Sequence, residues 1–594
     1  MVSSRLQRLR SEFVLGHVVP VATSLWARLF GLAHLDRDEV GPGLLIPRCH
    51  SVHTFGMRFA LDLVFLDREG RPVSFRREVP PRRLAWDRRA SAVLELPSRL
   101  GERADSARRE VRRETMTTRE VNVPSLSLER LFGVIDEEAR ESFEAGLRRA
   151  AQLLDSRKIW NVNSTSSGGG VAEMLWSWVG LARGIGVDMR WLTIAGSPDF
   201  FTLTKRLHNY VHGEVGDGGG LGLAERAPFE RVGEENAAGV LAQTGEHDIA
   251  FLHDPQTAGL IPHLVEAGRT VVWRCHVGAD ERNELTDAAW AFLAPYVTRA
   301  DAVVFSRRAY VPACCEGMVT AIVPPSIDAF SPKNQDMEPV RVRAILRRAG
   351  LLAPAGFGEE EATAPTFERL DGSEAEVGRR CEVVGEGEVP GADAKLVVQV
   401  SRWDRLKDPA GVMHGFAAVL EAGHDAWLVL AGPSLGSVTD DPDGAPVLSE
   451  VEADWRRLPD RIRGRVLLAC LPMEDLAENA AIVNALQRQA AIVVQKSLKE
   501  GFGLTVTEAM WKGRPVVASA TGGIVDQIED GVAGVLLANP LDLSAFAAAV
   551  GDLLGDPDHA RAMGEAARAS VRANFLEDRH TLQYVELLER LLGP

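Results

Sequence analysis

At 594 residues, 45% hydrophobic and 25% charged, the chain has length for several domains and apolar material for more than one core. Its 83 acidic against 67 basic residues leave a formal charge of −16, which argues against general nucleic-acid binding, a function that depends on neutralising phosphates. Six cysteines without a CxxC pair argue against a disulfide framework and for a reducing cytoplasm, and no apolar run reaches the ~20 residues that span a bilayer.

In chain order, Arg5, Arg8 and Arg10 precede FVLGHVVPVATSLWA. The likeness to a signal peptide is faint, because Glu12 abuts the apolar run and His17 and Pro20 interrupt it; a cytoplasmic protein is expected. Residues 1–100 read as a small β-rich domain, with strand-like runs GPGLLIPR, MRFALDLVFLD and ASAVLELP between turn signals such as DREGRPV. FALDLVFLD alternates only in part, broken at Asp62. Cys49, His50 and His53 could hold zinc only with a fourth group or water, and no metal site is expected. From 101 to 120 the chain is charged and apolar-poor, and residues 101–124 read as a linker, or the charged part as an exposed helix.

A new rhythm begins near 125. An amphipathic helix, SLERLFGVIDEEARESFEAGLRRAAQLL, is followed by a strand, KIWNVNST, and a Gly-rich turn opening a helix, SSGGGVAEML. The strand–turn–helix unit repeats through DMRWLTIAG, DIAFLHDPQTAGLIPHLVEAG, TVVWRCHVGADE and ADAVVFSRRAYVP. Residues 353–394, rich in Glu, Gly, Ala and Pro, read as an insertion or mobile loop. Alternation resumes with AKLVVQVSRWDRLKDPAG, AWLVLAG, GRVLLACLP, AAIVVQKSLKEGFGLTVTEAMWKG and RPVVASATGGIVDQIEDG. This pattern predicts an α/β chain with two Rossmann-like halves, 125–330 and 331–594, facing across a cleft, the last helix free to cross back.

Ligands of such sheets bind outside the carboxyl ends of the strands, so the motifs there matter most. Gly168, Gly169 and Gly170 open a helix; free N–H groups and close backbone approach suit a phosphate, though not through the GxGxxG fingerprint, and a plain flexible turn is the alternative. Arg402 and Lys407 flank a strand end and could grip a diphosphate, or be an ordinary basic loop. Asp408-Pro409 is a good helix start. His253, Asp254, Gln256 and His276 follow two strands, and Lys205, His208 and His212 lie on a further helix; each histidine could be structural instead. Glu500 and Glu508 stand eight apart around a Gly501-Phe502-Gly503 turn. TVTE at 505–508 matches a capping box, which would explain Glu508; Glu500 has no such explanation. HExxH, GxSxG and the Walker motif are absent, and DDPD at 440–443 reads as a solvated loop.

Taken together, EGFGLTVTE, SRWDRLKD and STSSGGGVAEML resemble the retaining GT-B glycosyltransferases, and LHDPQTAGL, VVWRCHVGADE, PPSIDAFSPKN and GGIVDQIEDG narrow the resemblance to trehalose glycosyltransferring synthases and trehalose phosphorylases, over about residues 125–594. The resemblance implies that Glu508 binds the ribose of a nucleotide sugar. It implies that Glu500, with Gly501, Phe502 and Gly503, holds the transferred glucose. Arg402, Lys407 and the Gly168–Gly170 turn would take the departing phosphate, His276 the donor sugar, and Asp254 and Gln256 the acceptor glucose. It further implies a metal-independent glucosyltransferase without a cofactor, forming trehalose from a nucleoside diphosphate glucose and glucose. A phosphorylase working on trehalose and phosphate, or a non-catalytic sugar-binding module, are the alternatives. The expected partners are small sugars and a nucleotide sugar, with no nucleic acid or membrane; assembly, a homodimer included, is open. The leader resembles a small bacterial domain of unknown function over about 20–100.

Overall fold

The computed structural model describes residues 6, 9–14, 17–24, 27–28, 32–35, 40, 43–68 and 70–97, and 118–593 apart from 156, 167–169, 355–362 and 435–443. Gly168, Gly169, the acidic DDPD stretch and most of the linker therefore lie outside the described residues. The chain divides into two units, Met1–Thr117 and Thr118–Pro594.

In the leader, four antiparallel strands stand in the order Leu44–Pro47, Ala92–Pro97, Leu61–Leu66 and Pro72–Val79, beside the two-stranded pair Ser51–His53 and Leu84–Trp86. The imperfect alternation of FALDLVFLD has a physical cause. Leu61, Leu63 and Phe65 enter one hydrophobic cluster and Val64 and Leu66 another. Buried on both faces, the strand has no solvent side to keep polar.

The larger unit contains two sheets. The first runs Thr320–Ile322, Ala302–Phe305, Thr270–Cys275, Ile249–His253, Ile159–Asn163, Met189–Thr193, all parallel, with Arg119–Glu120 antiparallel at the edge. The second runs Val466–Leu471, Trp427–Pro433, Leu396–Val400, Ile492–Gln495, Val516–Ser519, Val535–Leu537, again parallel, with Glu382–Val384 antiparallel at its edge. In both, chain order reverses beside the first parallel strand. These switch points fall between Ile159–Asn163 and Ile249–His253, and between Leu396–Val400 and Ile492–Gln495, where doubly wound sheets hold ligands.

Two expectations need correction. Residues 119–120 belong to the first sheet, where Arg119 and Glu120 pair with Thr193 and Leu192, so the linker reading reaches too far. The stretch 353–394 is not simply an insertion. Phe367 and Val377 enter the second lobe's core, and Glu382–Val384 closes its sheet edge, with apolar residues too sparse to show it in sequence.

The lobes also exchange helices. Leu131, Ile135 and Phe143, before and within the helix Glu137–Leu154, join the second lobe's core. The final helix Glu577–Leu592 returns to the first lobe, where Tyr584 stacks on Trp178 with ring centroids 4.3 Å apart.

Candidate active site

At the second lobe's switch point, Lys407 and Glu500 meet. The Lys407 ammonium lies 2.5 Å from Glu500 Oε2, which also accepts from Ser497 Oγ at 3.1 Å. The local sequence places both. Gln399 Nε2 holds the Lys407 carbonyl at 2.7 Å, and Leu498 N–H donates to the Leu406 carbonyl at 2.7 Å, tying the two loops together. Asp408, at φ 48°, accepts from Gly411 N–H at 3.0 Å and starts the helix Pro409–Glu421, as the Asp-Pro pair predicts. Its other oxygen is held by the buried Lys496. Arg402 stands outside this pair. Its guanidinium is half exposed and donates to Asp404 at 2.9 Å.

The Gly501-Phe502-Gly503 turn is pinned from both lobes. Tyr310 Oη, in the first lobe, donates to the Gly501 carbonyl at 2.6 Å. Gln527 Nε2 donates to the Phe502 carbonyl from beneath. A Cβ on Gly522 would stand 1.9 Å from the Glu500 carbonyl, so that close approach requires glycine. Gly503, at φ 86°, begins the helix Leu504–Trp511. The capping-box expectation fails for this reason. The left-handed glycine starts the helix at Leu504, so Thr505 is already inside it and Glu508 lies beyond capping reach. Glu508 is instead buried, with Oε1 3.5 Å from the Lys333 ammonium and Oε2 without a partner. Burial pushes its carboxyl up, against the opposing pull of Lys333 and Lys512.

Across the cleft, the first lobe supplies histidines and an acid. His212 approaches the turn: a Cβ on Gly501 would meet His212 Cε1 at 3.5 Å. Burial lowers its imidazole, with a hydrogen bond to the Gly278 backbone and the charge of Glu500 in opposition. His253 and His276 stack at 5.3 Å, with His253 Nδ1 3.1 Å from His276 Nε2 and His253 Nε2 3.1 Å from Asn161 Oδ1. Burial first, and the nearby Arg274 second, hold both rings well below the ordinary histidine range. Neutral rings fix the tautomers. Asn161 Oδ1 accepts from His253 Nε2–H, so His253 Nδ1 accepts from His276 Nε2–H, leaving His276 Nδ1 an acceptor for a hydroxyl.

Asp254, at φ 65° and ψ 173°, holds a strained backbone at the strand's end. Its Oδ1 accepts from the His276 N–H at 2.8 Å, and burial pushes its carboxyl up to about 6. Gln256, two residues on, has a buried Oε1 without a partner. Gly170 brings the first lobe's ligand-facing helix against the second lobe, since a Cβ there would stand 2.7 Å from Leu504 Cδ1.

Ionic contacts hold the lobes together. Arg307 pairs with Asp280 and with Asp526 of the second lobe, and Asp280 Oδ2 accepts from Gly522 N–H at 2.7 Å. The structure thus brings Lys407, Glu500 and the glycine turn together, and places Asp254, Gln256 and His276 around the first lobe's strand ends. Sequence reasoning missed Lys333, Tyr310, Arg307 and Asp280, and gave His212 no site role; all act across the cleft, where spacing carries no signal. Among the described residues no three His, Cys, Asp or Glu side chains converge as a metal would require.

Comparison with known proteins fits this geometry. Residues 161–312 match the family described as "Trehalose synthase, N-terminal domain", and 477–570 match "Glycosyl transferases group 1". A trehalose synthase of Rubrobacter xylanophilus is 34% identical over 460 residues, 76% of this chain and 95% of that protein. The chain belongs to the trehalose synthase family of glycosyltransferases. It is thus an enzyme of glycosyl transfer, and residues 11–106 add a domain described only as "Uncharacterized ACR". A trehalose phosphorylase of Pleurotus sajor-caju is 27% identical over 457 residues, 72% of this chain but 57% of that longer protein. An α,α-trehalose-phosphate synthase (UDP-forming) from Burkholderia xenovorans, solved with glucose 6-phosphate, superposes with a TM-score of 0.55 at 15% identity, covering 74% of this chain and 100% of that one. At that identity the likeness speaks for the fold, which is GT-B. Among the described residues no helix of this family member is long and apolar enough to cross a membrane.

Proposed function

We propose that the enzyme is a retaining glucosyltransferase that forms the α,α-1,1 bond of trehalose from a nucleoside diphosphate glucose and glucose. The observation that carries this reading is the Lys407–Glu500 pair at the second lobe's switch point, 2.5 Å apart and facing a Gly-rich turn. A cation beside a hydroxyl-binding carboxylate is what a sugar joined to a phosphate needs: the carboxylate takes hydroxyls of the sugar and the ammonium takes the phosphate. The bond from the anomeric carbon to the phosphate oxygen breaks while the acceptor's anomeric oxygen forms its bond on the same face. The acceptor's hydroxyl proton passes to the departing phosphate oxygen. Negative charge grows on that oxygen, and Lys407, aided by Arg402 from the loop's outer side, stabilises it there. Glu500 and the acceptor site of His276 Nδ1 hold the glucosyl group, and Asp254 and Gln256 orient the acceptor, so that much of the acceleration is positioning. Glu508 supplies an acceptor for the donor's ribose hydroxyls.

The test is direct. The full chain is incubated with glucose plus ADP-, UDP- or GDP-glucose, and separately with trehalose plus phosphate. Trehalose in the first mixture supports the proposal. Glucose 1-phosphate in the second alone would replace it with a phosphorylase, and no product in either would overturn the trehalose assignment.

A further inference from the structure

Lys333 belongs to neither lobe's catalytic loops. It lies in the segment that follows the first sheet's last strand, yet its ammonium touches both lobes. It donates to Glu173 Oε1 at 3.0 Å and Oε2 at 2.8 Å, on the helix Gly170–Gly184 of the first lobe, and stands 3.5 Å from Glu508 Oε1 of the second. Glu508 has no other side-chain cation in contact among the described residues. Its nearest rival, Lys512, spends its ammonium on Asn334 Oδ1 at 2.9 Å and the Glu508 backbone carbonyl at 3.0 Å.

We propose that Lys333 is a positioning residue for the nucleotide donor, fixing Oε1 of Glu508 so that Oε2 remains the acceptor for the donor's neighbouring hydroxyls, and tying that carboxylate to Glu173 on the opposite lobe. The proposal rests on Glu508 serving the donor, as argued above. Physically, a carboxylate this buried is driven toward its neutral form, which would turn one oxygen from an acceptor into a donor. Three charged groups face it: Lys333 and Lys512 favour the ionised form, and Glu173 opposes it. Glu173 is half exposed, whereas the Lys333 side chain is mostly covered, so the lysine rather than Glu173 sets the balance. The Glu173 pair serves a second purpose. It neutralises the outer side of the ammonium and aims it across the cleft.

Donor kinetics of the full-length enzyme test this, with whichever of ADP-, UDP- or GDP-glucose the wild type turns over. Lys333→Met should raise the donor KM by about 10- to 100-fold while kcat changes little. Lys333→Arg should recover most of the loss. The donor KM of Lys333→Met should fall as pH rises and Glu508 ionises, over a higher pH range than in the wild type, where Lys333 opposes the upward push of burial. In a Glu508→Gln background, Lys333→Met should add nothing further, because the lysine acts through that carboxylate. An unchanged donor KM in Lys333→Met, a fall confined to kcat, or an undiminished effect in the Glu508→Gln background would each overturn the proposal. Binding of the free nucleoside diphosphate by calorimetry gives a readout without turnover, and should weaken in the same variant. A wild type that turns over no nucleotide sugar would instead count against the proposed function.

Discussion

Changing Asp254 to Asn tests the acceptor role proposed for it. The carboxylate uses Oδ1 on the His276 N–H at 2.8 Å, a bond the amide oxygen of Asn can keep. What the change removes is the charge on the remaining oxygen. A hydrogen bond to a charged acceptor contributes about 1.5–3 kcal/mol, so Asp254→Asn should lower kcat/KM for the acceptor by about 10- to 150-fold while the donor KM holds. The pH profile carries the sharper signal. Burial pushes the Asp254 carboxyl up to about 6, so the ionised form is lost as pH falls through that value. The acceptor kcat/KM of the wild type should therefore drop about tenfold per unit below a midpoint near 6. Asp254→Asn should be flat there. Neighbouring histidines do not supply this midpoint: burial holds His253, His276 and His580 well below their ordinary range. The assay is initial rates of disaccharide formation at saturating donor with varied glucose. Equal pH profiles in wild type and variant, or a defect on the donor side alone, would refute the acceptor role.

Three more expectations are testable. Lys407→Met should cut kcat by about 10²- to 10³-fold if, as proposed, it removes a preorganised cation from the departing phosphate; single-turnover rates check whether the loss lies in chemistry. Arg307→Met breaks the ties to Asp280 and Asp526, so solution scattering should show a larger radius of gyration and the donor KM should rise several-fold, on the order of a 1 kcal/mol loss for a buried guanidinium whose acid partners are part exposed. In the leader, Glu95 is buried with Oε2 unpartnered, and burial pushes it up to about 8. The folded leader then keeps a proton that the unfolded chain releases, so stability should fall as pH rises from the ordinary carboxyl range toward 8, by at most about 1.4 kcal/mol per unit. Glu95→Gln should remove that slope in thermal unfolding curves.

The legible part of this enzyme is what short-range physics writes into the chain. Alternating strands and helices announce two doubly wound sheets, and the strand ends announce the loops that carry Lys407, Glu500 and Asp254. Asp408-Pro409 announces a helix start, and the structure has one there. The illegible part involves partners far apart in sequence. TVTE satisfies a local rule, yet Gly503 at φ 86° starts the helix earlier and frees Glu508 from the cap. No local pattern shows that Lys333, more than 170 positions upstream, takes the carboxylate instead. The stretch 353–394 misleads for a related reason: its few apolar residues, Phe367 and Val377 among them, pack into a core built by other segments.

The two glutamates show why this division matters for function. Glu500 and Glu508 share a spacing and a turn, but their partners differ in kind. The Glu500 carboxylate is held by Lys407 and Ser497 of its own lobe, although its backbone is also tied to Tyr310 of the first lobe. Glu508 is held through Lys333, which is itself held by Glu173 on the opposite lobe, so its setting depends on how the lobes meet. Tyr310 and Arg307 add closure contacts to the turn that carries Glu500 and to Asp526 beyond it. On the proposed function, a donor that engages both glutamates would therefore meet one carboxylate paired within its own lobe and one paired across the cleft. The transferred sugar would be held chiefly within the second lobe, while the nucleotide end would depend on Lys333 and on Glu173 of the opposite lobe as well.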